Sequence, residues 1–104
     1  MILSTTNTLH GREIVETIGL VRGTTVRARH LGKDILAFFK GIVGGEIDDY
    51  TKLLAEAREQ AIDRMVAEAE ARGADAIVSM RFGTSEITGA AAEILVYGTA
   101  VKLK

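Results

Sequence analysis

The chain has 104 residues, of which 47% are hydrophobic and 26% are charged, and its net charge is −1. This composition indicates one globular domain over residues 1–104, and the balanced charge gives no field that would attract nucleic acid or anionic lipid. The absence of cysteine excludes disulfides, thiolate metal sites and cysteine nucleophiles.

The amino-terminal region lacks the basic and long apolar segments of a signal peptide. No apolar run in the chain approaches the roughly 18 residues that a membrane span needs. We therefore expect a cytoplasmic protein without a membrane partner. Residues 1–10 are rich in Ser, Thr and Asn after Ile2-Leu3, which predicts a short edge strand or an arm.

The stretch from Arg12 to Arg29 is rich in β-branched residues, which favours one long strand or two short ones. Gly19 and Gly23 interrupt it. Glycine inside a strand marks a bulge, a bend or the close approach of another backbone. A bent strand is the simplest interpretation.

Two helices are expected next. The first, Leu31 to Val43, is apolar around nearly its whole circumference, which indicates burial on more than one side, and Gly44-Gly45 ends it. The second, Asp48 to Gly73, is amphipathic, because its apolar residues recur three or four apart. Asp48 or Asp49 caps its first turn, and Gly73 supplies a left-handed stop.

After the long helix, Ala76 to Phe82 predicts a strand, Gly83 to Gly89 a polar stretch, and Ala91 to Leu103 the last strand. Both faces of the last strand are largely apolar. A half-exposed antiparallel strand would alternate apolar with polar residues, so we expect cover on both sides. Helices supply one cover, and another subunit is the easiest source of the other. The order of elements predicts an α+β domain with two layers.

The sequence also resembles a known family. The segments Ile42-Val-Gly-Gly-Glu46, Gly73-Ala-Asp-Ala-Ile-Val78 and Tyr97-Gly-Thr-Ala-Val-Lys102 are similar to those of the YbjQ family, small bacterial and archaeal proteins that carry a heavy-metal-binding label. The resemblance covers essentially the whole chain. It implies a β-α-β-β subunit similar to that of dodecin, with an antiparallel sheet, and a ring-shaped homopentamer. It implies no established enzymatic activity, and the acidic residues that some relatives carry after the long helix are reduced here to Glu86.

Candidate metal ligands are few. His10 and His30 are the only imidazoles, and a straight strand would hold them roughly 60 Å apart. A hairpin at Gly19–Gly23 or a contact between subunits would bring them together, but two separate histidines in surface loops are the better explanation. The carboxylates near the start of the long helix suit Ca²⁺ or Mg²⁺, and the helix start alone also accounts for them; they are Glu46, Asp48 and Asp49. We therefore expect no cofactor, with a metal ion as the open alternative.

Other sites have simpler explanations. Residues 22–40 are basic and residues 46–75 are acidic. Complementary patches within or between subunits explain this charge asymmetry, and we do not expect nucleic-acid binding, because few aromatic residues accompany the basic segment. No serine lies in a nucleophile elbow. Four glycines are assigned to structural turns: Gly44, Gly45, Gly73 and Gly98. The sequence thus predicts a homo-oligomer without enzymatic activity, and the alternative is a metal-ion or small-ligand site between subunits.

Overall fold

The computed structural model describes residues 1–27, 47–88 and 91–104. In these residues the chain forms four strands and one helix: β1 (Ile2–Leu3), β2 (Ile14–Arg27), α1 (Ile47–Ala71), β3 (Ala76–Thr88) and β4 (Ala91–Leu103). The predicted long helix and the last strand are present, and of the two alternatives for the β-branched region before the helix, the structure shows one long strand. The predicted helix over Leu31–Val43 and the turn at Gly44–Gly45 lie outside the described residues.

The strands form one sheet in the order β1-β3-β4-β2. β4 pairs antiparallel with both β2 and β3, whereas β1 pairs parallel with β3. The α+β class is therefore confirmed, but the expectation of a purely antiparallel sheet is wrong for β1. The backbone after β1 continues along the edge of β3, where Ser4 N donates to Ile77 O at 2.9 Å and Met80 N to Ser4 O at 3.0 Å.

β3 is longer than predicted. It was expected to end at Phe82, but it continues through the polar residues to Thr88 and pairs with β4 along this length. Ser85 Oγ lies 3.2 Å from Glu93 Oε1 on the neighbouring strand. The polar residues mark exposure to solvent rather than the end of the strand, because backbone pairing with β4 does not depend on side-chain polarity.

α1 packs closely against β2 and β4. Its inward stripe is fully buried and mostly small: Ala57, Ala61, Met65 and Ala69. At Gly23 an added Cβ would overlap the Ala61 carbonyl oxygen and lie 2.6 Å from the Met65 amide nitrogen. Thr25 Oγ1 also donates to Ala57 O at 3.1 Å. Of the three roles open to Gly23, the structure therefore selects close approach of another backbone.

The end of α1 is fixed by Gly73, which has φ of 78°. Gly73 N donates to Glu70 O at 3.0 Å, and Ala74 N donates to Ala69 O at 3.0 Å. This pair of bonds is the Schellman motif, which satisfies carbonyls that the last helical turn leaves without a partner.

Gly98 corrects one prediction, because it lies inside β4 and not at a turn. It is buried, and an added Cβ would lie 2.6 Å from Ile77 Cγ2 and 3.1 Å from Val78 O. The β3 register shifts opposite it, between Val78 and Arg81, and Ser79 in this bulge has φ of 54°. Gly98 thus makes room for a bulge in the neighbouring strand.

The described residues form a core in two parts, on opposite sides of the sheet. Under α1, the buried side chains come from all three long strands and include Val21, Ile77, Ile94, Val96 and Ala100. On the other side a smaller cluster forms beneath the amino-terminal arm; its members are Ala76, Val78 and Val101, with Leu9, Ile14 and Leu103 partly buried against them.

Candidate functional site

The side of the sheet opposite α1 is only partly covered by the residues that the structure describes. Residues alternate between the two faces of a strand, so the buried Val21, Gly23 and Thr25 of β2 place their neighbours on the other face. Cross-strand pairing extends this surface over β4 and β3. We call it the open face; it consists of Leu20, Arg22, Thr24, Val26, Arg81, Gly83, Ser85, Glu93, Leu95 and Tyr97.

The open face exposes large apolar side chains. Leu20 is 58% exposed, Val26 is 50% exposed and Tyr97 is 39% exposed. Leu20 and Tyr97 border a shallow groove of about 660 Å³ between β2 and β4, which Arg22, Thr24, Glu93 and Leu95 also line. Exposed apolar residues gathered on one surface, unlike scattered ones, are typical of an interaction site.

Polar groups on the open face are arranged in rows across the strands. Arg22 and Arg81 are the cross-strand partners of Tyr97 on its two sides. Arg81 Nη1 donates to Thr5 O and to Met80 O, each at 2.8 Å. The groove is lined by one cationic side chain, Arg22, and one anionic side chain, Glu93, so the charges of these two side chains sum to zero. The surface is therefore amphipathic and suits an occupant with both apolar and polar parts, rather than a simple ion.

The predicted metal ligands do not converge in the described residues. His10 is exposed in a tight turn, where Arg12 N donates to Leu9 O at 3.1 Å. Asp48 and Asp49 lie in the first turn of α1, while His30 and Glu46 lie outside the described residues. Within residues 1–27, 47–88 and 91–104, no group of three or more His, Asp or Glu side chains lies close enough to hold a metal ion.

Other polar side chains are dispersed as well. Ser79 occupies the β3 bulge, where its amide donates to Thr6 O at 2.8 Å. Glu13 forms an exposed ion pair with Lys104 at 3.7 Å, and such pairs contribute little to stability. In the part of the chain that the structure describes, no helix is long and apolar enough to cross a membrane.

Sequence reasoning identified the apolar faces of β4 but missed the share of β2 in the open face. The signal was present: Leu20, Arg22, Thr24 and Val26 alternate with the buried Val21, Gly23 and Thr25. The alternation was hard to recognise, because small and β-branched residues occur both at the positions that face α1 and at the positions that face the opposite side of the sheet. Three charged residues of α1 were missed as well: Arg64, Glu68 and Arg72, which contact β2. Their spacing of four residues was the available signal.

Comparison with known proteins now adds to this geometry. A model of the YbjQ family, described as "Putative heavy-metal-binding", matches residues 1–104. The chain belongs to this family. A YbjQ relative from Pseudothermotoga lettingae, a UPF0145 protein, is 60% identical over 104 residues, which cover 100% of this chain and 98% of that protein. A UPF0145 protein from Methanosarcina acetivorans is 56% identical over 103 residues, or 99% and 97% of the two chains.

A solved structure is similar in fold. A Pediococcus pentosaceus protein of unknown function, assigned to the DUF74 family, matches with a TM-score of 0.65 and 18% sequence identity. The match covers 100% of this YbjQ chain and 98% of that chain. At this level of identity the similarity supports the α+β architecture alone. None of these relatives carries an enzyme name.

Proposed function

We propose that this YbjQ-family chain is a non-catalytic subunit of a cytoplasmic, ring-shaped homo-oligomer, a pentamer whose subunit resembles that of dodecin. The observation that carries this proposal is the open face, where Leu20, Val26 and Tyr97 are exposed in the single chain. A second copy of the chain is the simplest partner to cover this surface, because further copies of the same chain are always present wherever the chain is.

The hydrophobic effect gives the approximate size of the gain. Burying apolar surface stabilises a complex by about 25 cal/mol per Å², which amounts to roughly 1.5–3 kcal/mol for one large side chain. The four apolar side chains of the open face therefore contribute several kcal/mol; they are Leu20, Val26, Leu95 and Tyr97. Association also costs several kcal/mol of lost freedom. The open face thus favours assembly strongly only when other contacts add to it.

Charge supports a ring rather than a symmetrical dimer. A ring needs two different surfaces that fit each other, whereas a twofold contact joins one surface to itself. Opposite the basic residues of the open face, Arg22 and Arg81, the exposed acids of α1 outnumber its exposed bases between residues 52 and 63: Glu56, Glu59 and Asp63 against Lys52 and Arg58. The open face of one subunit and the outer side of α1 of the next are therefore electrostatically complementary.

Native mass spectrometry of untagged protein tests the proposal. We expect a species of five times the 11.2 kDa chain mass, and Leu20→Asp should convert it to a folded smaller species. Val15→Asp is the matched control, since Val15 is 55% exposed but does not line the groove. A stable monomer of the unmodified chain at micromolar concentration would overturn the proposal.

A second candidate function is binding of a metal ion or a small ligand between subunits. The groove favours an amphipathic small molecule, because Leu20, Leu95 and the Tyr97 ring lie beside Arg22 and Glu93. The same mass spectrum tests this candidate, since a bound molecule adds mass to the assembly. Tyr97→Ala should then release it, and a spectrum without added mass from protein purified without chelator contradicts the candidate.

A further inference from the structure

Among the described residues β2 is an edge strand, because in the sheet order β1-β3-β4-β2 it pairs with β4 alone. An edge strand presents backbone N–H and C=O groups that can pair with a strand of another molecule. In β2 the backbone groups that point away from β4 belong to every second residue. Four residues have such an outward group in contact with a side chain of α1: Ile18, Leu20, Arg22 and Thr24.

Side chains of α1 occupy these outward groups. Arg72 Nη2 donates to Ile18 O at 3.1 Å, and Arg72 Nη1 donates to Leu20 O at 2.8 Å. Arg22 N donates to Glu68 Oε2 at 3.5 Å. Arg64 Nη1 donates to Thr24 O. We call these four bonds the edge contacts.

The edge contacts follow from two matching repeats. Residues four apart on a helix lie on one side of it and are separated by about 6 Å along its axis. Residues two apart on a strand are separated by roughly 6.6 Å. Arg64, Glu68 and Arg72 therefore meet successive outward groups of β2, as a pairing strand would. The contact between α1 and Gly23 holds the helix close enough for these side chains to reach.

We infer that the edge contacts close β2 to strand addition, and that the strand they exclude is one from a second copy of this chain. The two arginines donate hydrogen bonds to three carbonyls, and the glutamate accepts one from an amide. Outward C=O groups and an outward N–H group of the edge therefore both have partners. Copies of the chain must consequently assemble without extending the sheet through residues 18–24. This inference concerns the edge of the sheet and does not depend on what covers the open face.

The test removes the edge contacts with the triple variant Arg64→Ala, Glu68→Ala, Arg72→Ala in the full chain. We expect a concentration-dependent species of higher mass than the unmodified assembly, measured by light scattering on a sizing column. In dilute protein, hydrogen exchange at the Arg22 amide should accelerate by about tenfold or more, since its acceptor is lost. Lys52→Ala, Arg58→Ala, Glu70→Ala is the matched control, because it removes the same charges from other exposed positions of α1.

Two further variants separate edge pairing from other causes. Thr24→Pro, added to the triple variant, removes one outward N–H, so it should abolish the extra association without breaking the β2–β4 ladder. Arg72→Lys should give a partial effect, because one ammonium group does not reproduce the two-pronged contact of a guanidinium. If the triple variant matches the control in both mass and Arg22 exchange, or if its association persists with Thr24→Pro, the inference is wrong.

Discussion

On the side of the sheet that faces α1, Val21 and Val96 are completely buried, whereas on the opposite side Leu20 and Tyr97 remain exposed. The two sides belong to the same strands, and adjacent residues differ only in which way their side chains point. α1 covers the first side so closely that its backbone contacts the backbone of β2 at Gly23. The amino-terminal arm covers only the end of the second, where Leu9 packs near Val78 and Val101. The difference indicates that packing on the first side maintains the fold, whereas the second side leaves apolar surface exposed for the assembly proposed above.

The largest effect should come from Gly23→Ala on the helix side. An added Cβ would overlap the backbone of α1, so the helix must move away from β2 and its buried alanines must lose contact. We expect a loss of about 3 kcal/mol or more in the free energy of unfolding, measured by urea denaturation. Gly83→Ala is the control, since nothing lies within 4 Å of its added Cβ. Equal stability of the two variants would contradict the close approach.

A pair of neighbouring substitutions compares the two sides directly. Val96→Asp buries a charge without a partner under α1 and should cost several kcal/mol, so that the chain unfolds or aggregates. Leu95→Asp places the same charge on the open face. It should leave the circular dichroism spectrum of the fold unchanged while reducing the mass of the assembly in sedimentation. Similar behaviour of the two variants would remove the proposed distinction between the faces.

Gly73→Ala should have a smaller effect, because it strains only the end of α1. The nearest atoms to an added Cβ are in Lys102 at 3.8 Å, which is ordinary contact, whereas the φ of 78° is unfavourable for alanine. We expect a loss of about 1 kcal/mol in the free energy of unfolding, with no change in subunit number. Gly73→Asn should lose less, since asparagine tolerates this conformation. Unchanged stability together with loss of a co-purified ligand would instead assign the turn to a binding site.

The sequence predicted well what depends on periodicity and local chemistry. The stripe of α1, the left-handed Gly73 and the last strand follow from residue spacing alone. The length of β3 and the open face on β2 were missed, because polar residues pair in a sheet as readily as apolar ones. Gly98 was misassigned to a turn, because the requirement for glycine at this position comes from the close approach of Ile77 on a neighbouring strand. Such contacts depend on which strands become neighbours, and no local pattern contains that information.

The smallest expected effect concerns metal binding. With no cysteine in the chain and His10 in an exposed turn, neither side of the sheet offers thiolate or clustered imidazole ligands in its described residues. Soft metal ions prefer such ligands. Dialysed protein titrated with Zn²⁺, Cd²⁺ or Ni²⁺ in a calorimeter should therefore show no site tighter than about 1 μM, or roughly 8 kcal/mol.

The double variant His10→Ala, His30→Ala controls this titration. Weak binding that is the same in the variant and in the unmodified chain agrees with scattered surface carboxylates as the ligands, and weak binding that falls in the variant agrees with the two histidines acting separately. Stoichiometric sub-micromolar binding that disappears in the variant would require the two histidines to meet, within one subunit or across two. Because a site across two subunits forms only in the assembly, repeating the titration with Leu95→Asp distinguishes these cases: binding between subunits is lost with the assembly, and binding within one subunit survives it.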